Sequence, residues 1–324
     1  MLLAGDVGGT NTRLGLFARG PGRPELIQAR TYRTSAFAGL TSMLEAFLRD
    51  AGAGAAQVTG AAFGVAGPVV DQRVALTNAD WLIVAGETAA ALGLPRVSLL
   101  NDLTAMARAI PVLHADELVT LQEGTADARG AIALIAPGTG LGEAFLVRDG
   151  DRLIASPSEG GHADFAPRTP REMALLAYLT GRFGRVDYER VISGRGLVNI
   201  HAFVHTAACP SLADESGDPA ARISAAALES RCAGCVETLA LFVSILGAEA
   251  GNMAVRAVAT GGVYLGGGIP PKILPALQGA RFLDAFLAKE PLGNLVARVP
   301  VHVVVNADPG LLGAAVAAAD DRTA

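Results

Sequence analysis

The sequence predicts an α/β chain of two domains, each a mixed sheet covered by helices, flanking a central cleft. Three observations predict it. At 324 residues the chain is longer than one hydrophobic core usually serves, which points to two domains. Apolar strand-like runs alternate with helical patterns, the order expected of sheets packed between helices. A glycine-rich hairpin near the start recurs roughly 130 residues later, too long an offset for a solenoid repeat and about right for a duplicated domain. The expected division is residues 1–112, completed by the C-terminal segment 304–324, against residues 113–303.

Taken in order, Leu2 to Ala4 reads as a short buried strand and Asn11 to Phe17 as its hairpin partner, joined through Asp6-Val7-Gly8-Gly9-Thr10. Ala36 to Leu48 has apolar residues at helical spacing, Val58 to Val65 is strand-like, and Val97 to Leu100 is an apolar run ending in Asn101-Asp102. Ala131 to Ala136 and Glu143 to Val147 form the second hairpin around Pro137-Gly138-Thr139-Gly140-Leu141-Gly142. Thr206 to Ala221, rich in Ala, Pro, Asp, Ser and Gly, reads as a surface loop, and Thr238 to Val255 as a buried helix. A glycine cluster from Gly261 to Gly268 precedes Pro270-Pro271, which favour a helix start. Val301 to Val305 is a strand, Asp308 an expected N-cap, Pro309 a first-turn proline and Leu311 to Ala319 a helix.

Composition narrows the function classes. The chain is 51% hydrophobic and 18% charged, with mean hydropathy +0.39, so both domains have apolar surface to bury and global disorder is excluded. A net charge of −5 gives no basic footprint for nucleic acid. The start Met1-Leu2-Leu3-Ala4-Gly5-Asp6 lacks a basic segment before its short apolar run, so no export signal is expected. Glu249 and Asn252 interrupt the most membrane-like stretch, which argues against a membrane partner. Three cysteines suit a reducing compartment better than a disulfide framework. The expected location is cytoplasmic.

Glycine loops hold phosphate because successive backbone N–H groups converge on an anion where no side chain blocks the approach. Gly8-Gly9-Thr10 and Gly138-Thr139-Gly140 each add a hydroxyl, and Asp6 stands where it could hold the hydration shell of Mg²⁺. Either loop alone is most simply a tight hairpin, whereas the pair points to a triphosphate. The chain has only two lysines, Lys272 and Lys289, and neither closes a G-x-x-x-x-G-K-[ST] run. The spacing Gly5-x-x-Gly8-Gly9 is also not that of a dinucleotide fold. Asp102, at the end of an apolar strand, is the candidate general base, with helix N-cap as its structural alternative. Ser158-Glu159-Gly160-Gly161-His162 combines a carboxylate with an imidazole, a set suited to adjacent sugar hydroxyls. Cys232-x-x-Cys235 reads as two buried thiols, because no second pair or nearby histidine supports zinc. Trp81 reads as a packing residue.

The ordered motifs closely resemble those of the bacterial glucokinases, in the hexokinase group of the sugar kinase, actin and Hsp70 superfamily. The resemblance rests on Gly5-Asp6-Val7-Gly8-Gly9-Thr10-Asn11, Asn101-Asp102, Gly138-Thr139-Gly140-Leu141-Gly142, Ser158-Glu159-Gly160-Gly161-His162, Glu189-Arg190-Val191-Ile192-Ser193-Gly194, Gly261-Gly262-Val263 and Pro309-Gly310-Leu311-Leu312-Gly313. It implies two ribonuclease-H-like domains and transfer of the γ-phosphoryl group of ATP to the 6-hydroxyl of glucose. It further implies that Asn101, Asp102, Glu159, His162 and Glu189 hold glucose, with Asp102 as base. The two hairpins would hold the ATP phosphates, the region from Gly261 to Gly268, Gly261 and Gly262 included, would lie beside the adenosine, and Asp6 would help to place Mg²⁺. A homodimer acting in glycolysis is also implied.

The related ROK sugar kinases and repressors carry a zinc-binding cysteine cluster after their glycine-histidine motif, whereas here no cysteine follows His162 until Cys209. Arg195 is a departure, standing where similar glucokinases tend to have proline. Two other classes stay open at this point. A sugar-sensing regulator would carry an added helix-turn-helix, and a polymerising actin-like ATPase would not need Asn101-Asp102 together with Glu159 and His162. A kinase for another hexose is the nearest alternative within the enzyme class.

Overall fold

The computed structural model describes all residues except 77–78, 151, 206–208, 210–211, 213–216 and 321–324. The chain forms two compact units, one built from Met1–His114 with the segment from Asn306 onward, the other from Ala115–Val305. The first contains, in chain order, β1 (Leu2–Val7), β2 (Asn11–Ala18), β3 (Glu25–Arg33), α1 (Leu40–Asp50), β4 (Gly60–Val65), β5 (Arg73–Leu76), β6 (Trp81–Val84), α2 (Ala85–Leu92), β7 (Val97–Asn101) and α3 (Asp102–Ala109). The second contains β8 (Leu118–Gln122), β9 (Ile132–Pro137), β10 (Leu141–Asp149), β11 (Arg152–Ser158), α4 (Pro170–Phe183), α5 (Gly194–Val204), α6 (Pro219–Leu228), α7 (Ala233–Ala257), β12 (Gly262–Leu265), α8 (Leu274–Leu277), α9 (Ala280–Leu287), α10 (Gly293–Val296) and β13 (Val301–Val304). The chain then returns to the first unit as α11 (Pro309–Ala319).

The two main sheets follow one plan. In the first, the order is β3-β2-β1-β4-β7, with β1, β2 and β3 antiparallel neighbours and β4 and β7 parallel to β1. In the second, β11-β10-β9 repeat the antiparallel meander and β12 and β13 the parallel pair, with β8 added antiparallel at the edge. The central strands are continuous apolar runs because helices cover both faces of the sheet. Every residue of β4 and of β9 is buried. Parallel strands also place their carboxyl ends along one edge, where ligand-contacting loops of open α/β sheets gather.

Several local expectations change under tertiary pairing. Asp6 and Val7 belong to the ladder, opposite Arg13 and Thr12, so the first turn shrinks to Gly8–Thr10. The helix expected from Ala36 starts at Leu40, after a 3₁₀ turn at Thr34–Ala36. β12 runs through the cluster from Gly261 to Gly268. Within the surface loop expected from Thr206 to Ala221, residues 206–208, 210–211 and 213–216 lie outside the described residues, and Pro219–Ala221 open α6. Asp308 makes no side-chain cap bond. It pairs instead with Arg13 Nε at 2.8 Å. Trp81 is buried in the core of the first unit.

α7 is long and apolar enough to cross a membrane, but it lies against the core of its own unit. Its Glu249 is fully buried, takes a hydrogen bond from Asn252 Nδ2 at 2.8 Å and is paired with Arg256. A partnered carboxylate avoids most of the cost that burial alone would impose. The expectation that Cys232 and Cys235 have no histidine nearby is overturned. Cys232 is the N-cap of α7, Cys235 lies in its first turn, and the fold brings His201, His205 and Cys209 beside them. A search along the sequence misses this because the histidines are about 30 positions upstream on α5.

α3 is seated by contact of bare backbone. A Cβ at Gly313 of α11 would lie 1.6 Å from the carbonyl oxygen of Ala105, and one at Gly64 of β4 would lie 2.7 Å from the Ala105 methyl. Neither position has space for a side chain, so both glycines set how closely α3 approaches its neighbours. Gly313→Val is expected to lower unfolding stability by about 1–3 kcal/mol or more, the usual cost of overpacking. A urea melt giving an unchanged midpoint would show that α3 and α11 do not meet in this way.

Candidate active site

In the first unit, chemistry collects at the carboxyl ends of β1 and β7. Asp6 is the penultimate residue of β1 and Asn101 the last of β7. Asn101 caps α3, its Oδ1 accepting the N–H groups of Leu103 at 2.9 Å and Thr104 at 3.4 Å. Its Nδ2 donates to the Gly67 carbonyl at 3.3 Å. The cap expected of Asp102 is therefore supplied by its neighbour. Asp102 is the first residue of α3, half-buried, and its Oδ1 accepts the Leu103 N–H at 2.8 Å. A helix N-terminus favours negative charge at that position.

Asp102 and Asp308 both act on Asp6 as like charges. The pKa of Asp6 is raised to about 6, first by desolvation, then by Asp102 and Asp308. Gly310, in the first turn of α11, is so near that a Cβ there would lie 3.0 Å from Asp6 Oδ2. Asp308 was not legible as a site residue, since locally it reads only as a helix cap.

The turn after β1 is held from behind. Gly8 donates its N–H to the Asn11 carbonyl at 3.1 Å, Thr34 donates its own to the Thr10 carbonyl at 2.9 Å, and Thr34 Oγ1 donates to the Gly8 carbonyl at 2.7 Å. Thr34 is fully buried and its hydroxyl also meets that of Thr12 at 3.0 Å. Gly9 and Thr10 remain at least partly exposed, while Gly5 and Val7 are buried inside the ladder. Thr34 is a second residue that local reading missed.

In the second unit the counterpart turn, Gly138-Thr139-Gly140, joins β9 to β10 and is tied to Glu189. Glu189 Oε2 accepts the Leu141 N–H at 3.0 Å. The backbone of Glu189 donates to the Gly161 carbonyl at 2.8 Å and accepts from Ser193 Oγ at 2.6 Å. Gly194, at the start of α5, donates to the Gly138 carbonyl at 2.8 Å. A Cβ on Gly140 would lie 2.5 Å from Glu189 Oε2 and would push that carboxylate from its place. Glu189 thus joins the glycine turn, the Gly160–His162 turn and α5 at one point.

His162 and Glu189 line one cavity of about 480 Å³ together with Asp187, Arg190, Arg195 and Asn199. His162 Nδ1 lies 3.2 Å from Asp187 Oδ2. Glu159 is exposed, and its carbonyl accepts the His162 N–H at 3.0 Å. Beneath this turn lies Glu143, 1% exposed, so close that a Cβ on Gly160 would overlap its carboxylate. Burial first, and then Glu249, raise its pKa to about 7, against an opposing effect of Arg256.

A second cavity of about 460 Å³ is lined by Gly138, Thr139, Gly194, Gly268 and Lys272, with residues of α5 and α6. Gly266 donates to the Ile135 carbonyl and Ile269 to that of Pro137, so the carboxyl end of β12 adjoins the glycine turn. Gly261 and Gly262 stand at the other end of β12, where Gly262 pairs with Ile132 and Gly261 donates to the Ala131 carbonyl. The cavity is therefore bordered by the end of the glycine cluster that contains Gly268. Among the described residues, Lys272 is a cavity cation that the lysine-motif search could not find, because it lies on a 3₁₀ turn after β12.

Comparison with known proteins agrees with this architecture. The family model described as Glucokinase matches residues 3–321. The glucokinase of Nostoc sp. is 38% identical over 98% of this chain and 99% of that protein, and that of Aromatoleum aromaticum 40% identical over 97% and 93%. The crystal structure of a glucokinase from an Antarctic psychrotroph superposes with a TM-score of 0.87 at 30% identity, covering 98% of both chains. A ROK hexokinase from Thermus thermophilus, at 20% identity and TM-score 0.64, shares the fold. The matched family model, the coverage of the relatives and the duplicated sheet plan together show that this chain belongs to the glucokinase family, ATP-dependent kinases that phosphorylate glucose.

Proposed function

We propose that Asp102 is the general base that takes the proton of the glucose 6-hydroxyl as that oxygen attacks the γ-phosphorus of ATP. The observation that carries this role is the division of labour at Asn101-Asp102. Asn101 supplies the helix cap, and Asp102 beside it, at the strand's carboxyl end, has one carboxylate oxygen, Oδ1, on the Leu103 N–H. Asn101, Glu159, His162 and Glu189 complete the sugar-binding set, Asn101 offering an amide and the others carboxylate or imidazole groups to hydroxyls that donate and accept. Glu189 has a double task in this reading, since one of its oxygens already holds the Leu141 amide.

The two glycine turns are the proposed phosphate holders. Gly5, Asp6, Val7, Gly8, Gly9, Thr10 and Asn11 form the first, with Gly8, Gly9 and Thr10 presenting the turn. Gly138, Thr139 and Gly140 form the second. The adenosine is assigned to the cavity bordered by Gly268 and Lys272 rather than to Gly261 and Gly262. The donor set Asp6, Asp102 and Asp308 fits Mg²⁺, a hard cation that takes oxygen ligands and retains water. The like charges of Asp102 and Asp308 beside Asp6 are an excess that a divalent ion would offset, although Asp308 also pairs with Arg13. Asp6 and Asp308 would hold the ion, through water in the case of Asp6, and the ion would neutralise phosphate oxygens. A cytoplasmic, glycolytic homodimer is the setting that accords with this activity.

A coupled assay of ADP release with ATP and Mg²⁺ across a panel of hexoses tests the preference for glucose. Glucose-dependent turnover supports the kinase, and a sugar-independent rate opposes it.

Asp102→Ala is expected to lower kcat by about a hundredfold or more with a smaller effect on the glucose KM, since general bases contribute about 10² to 10⁴. Turnover near that of the unaltered enzyme would refute the assignment. Asp6 is charged above about pH 6 and protonated below it, so the Mg²⁺ concentration for half-maximal activity should rise as pH falls through that value. An acid limb that does not respond to Mg²⁺ would remove Asp6 from the cation site. Glu189→Gln keeps an oxygen that can accept the Leu141 N–H and should raise the glucose KM while leaving the ATP KM nearly unchanged. Glu189→Ala should disturb both.

A further inference from the structure

The three cysteines of this chain and two of its five histidines come together in the second unit, and none of them is among the residues assigned above. Their sequence spacings are those of metal ligands. Cys232-x-x-Cys235 and His201-x-x-x-His205 match the C-x₂-C and H-x₃-H separations common in tetrahedral zinc sites. His201 is on α5 and His205 is its C-cap residue, Cys232 caps α7, Cys235 lies in the first turn of that helix, and Cys209 comes from the intervening segment. Three separate stretches of chain therefore deliver ligand atoms to two groups that share Cys209, one with His201 and Cys235 and the other with His205 and Cys232.

The distances fit a metal better than a cluster of thiols. Cys209 Sγ lies 3.7 Å from Cys232 Sγ and 3.8 Å from Cys235 Sγ. Two sulfurs each about 2.3 Å from one tetrahedral zinc are about 3.8 Å apart, by the geometry of a regular tetrahedron. A disulfide would need them at about 2.05 Å. His201 contributes the second observation. It is 8% exposed, its Nε2 is buried without a hydrogen-bond partner, and one of its ring nitrogens lies within 4.8 Å of the sulfurs of Cys209 and Cys235. A buried imidazole nitrogen without a partner is costly, and coordination would satisfy it.

His205 has a different position. Its Nε2 is 3.1 Å from Cys232 Sγ, a hydrogen-bond distance and shorter than the about 3.6 Å edge between a nitrogen and a sulfur on one tetrahedral zinc. The His201 and His205 rings are stacked, with centroids 4.8 Å apart. The backbone between the two cysteines is pressed against His205, since a Cβ on Gly234 would lie 2.3 Å from His205 Cδ2. The Cys235 N–H points to Cys232 Sγ at 3.5 Å, a backbone donor suited to a thiolate.

We propose that this cluster is a structural zinc site in which Cys209, Cys232, Cys235 and His201 are the four ligands and His205 supports the Cys232 sulfur by a hydrogen bond. Binding displaces the protons of the three thiols to solvent and leaves all four coordination positions filled by protein, so the site holds structure and offers no place for substrate. The metal would join the C-terminal end of α5 to the start of α7. The other end of α5 begins at Gly194, whose amide holds the Gly138 turn. A cross-link here thus steadies the helix that supports the second phosphate turn.

The test uses the full chain prepared without oxygen, stripped of metal and titrated with Co²⁺ and then Zn²⁺. One Co²⁺ per chain should bind with the intense visible bands of a tetrahedral site and a sulfur-to-metal charge-transfer band, both abolished by Zn²⁺. Cys209→Ser and His201→Gln should change those bands and lose zinc stoichiometry, whereas His205→Gln should keep one zinc with about 10–100-fold weaker binding, the usual effect of removing a supporting contact. Zn²⁺ should also raise the melting temperature of the unaltered protein and shield all three thiols from a thiol reagent. If the variants fail to fold, the unaltered protein decides the question. Absence of the thiolate band, octahedral bands, thiols equally reactive with and without Zn²⁺, or a disulfide from Cys209 in the anaerobic protein would each overturn the site. None of these readouts depends on phosphorylation of a sugar.

Discussion

Where α3 meets β4 and α11, two helices and a strand approach until backbone touches side-chain methyl and carbonyl, and the position of Asp102 follows from that contact. Gly64 and Gly313 make the approach possible by having no Cβ. α3 is only two turns long and would not be stable by itself, so its direction is set by what it packs on. The Asn101 cap then fixes where the helix begins. A base must lie within hydrogen-bond reach of the proton it removes, and here that accuracy derives from close packing rather than from a long element.

The second unit solves a similar problem with a carboxylate. Glu189 accepts from the amide at the start of β10, while its backbone bonds the Gly160–His162 turn and Ser193. The residues proposed for sugar binding and those proposed for phosphate binding therefore share one anchor. Buried charge is concentrated just below, where Glu143 and Glu249 face Arg256. Such a group is stable only while its partners are in place, which makes it a stiff support.

The duplicated sheet plan also explains the placement of chemistry. Both sheets have parallel strands on one side of an antiparallel meander; Asn101 ends a parallel strand, while the two glycine turns follow β1 and β9 and the Gly160–His162 turn follows β11. The amino ends contribute packing. Gly261 and Gly262 fall on the amino end of β12 and Gly268 beyond its carboxyl end, so residues within one glycine run have different surroundings.

Much of this was legible in the sequence because its signals are local. A glycine turn between two apolar runs predicts a hairpin from conformational preference and periodicity alone, and Asn101-Asp102 after such a run reads as a strand end. The two-domain α/β organisation followed from length, alternation and repetition. Tertiary structure alone decided that Asn101 rather than Asp102 is the cap, that Thr34 and Asp308 stand behind and beside the first turn, and that Glu189 is fastened to the second. It also decided that Cys209, Cys232 and Cys235 meet His201 and His205. Each of these depends on atoms distant along the chain that become neighbours only when strands pair and helices pack, a relation that residue spacing does not encode.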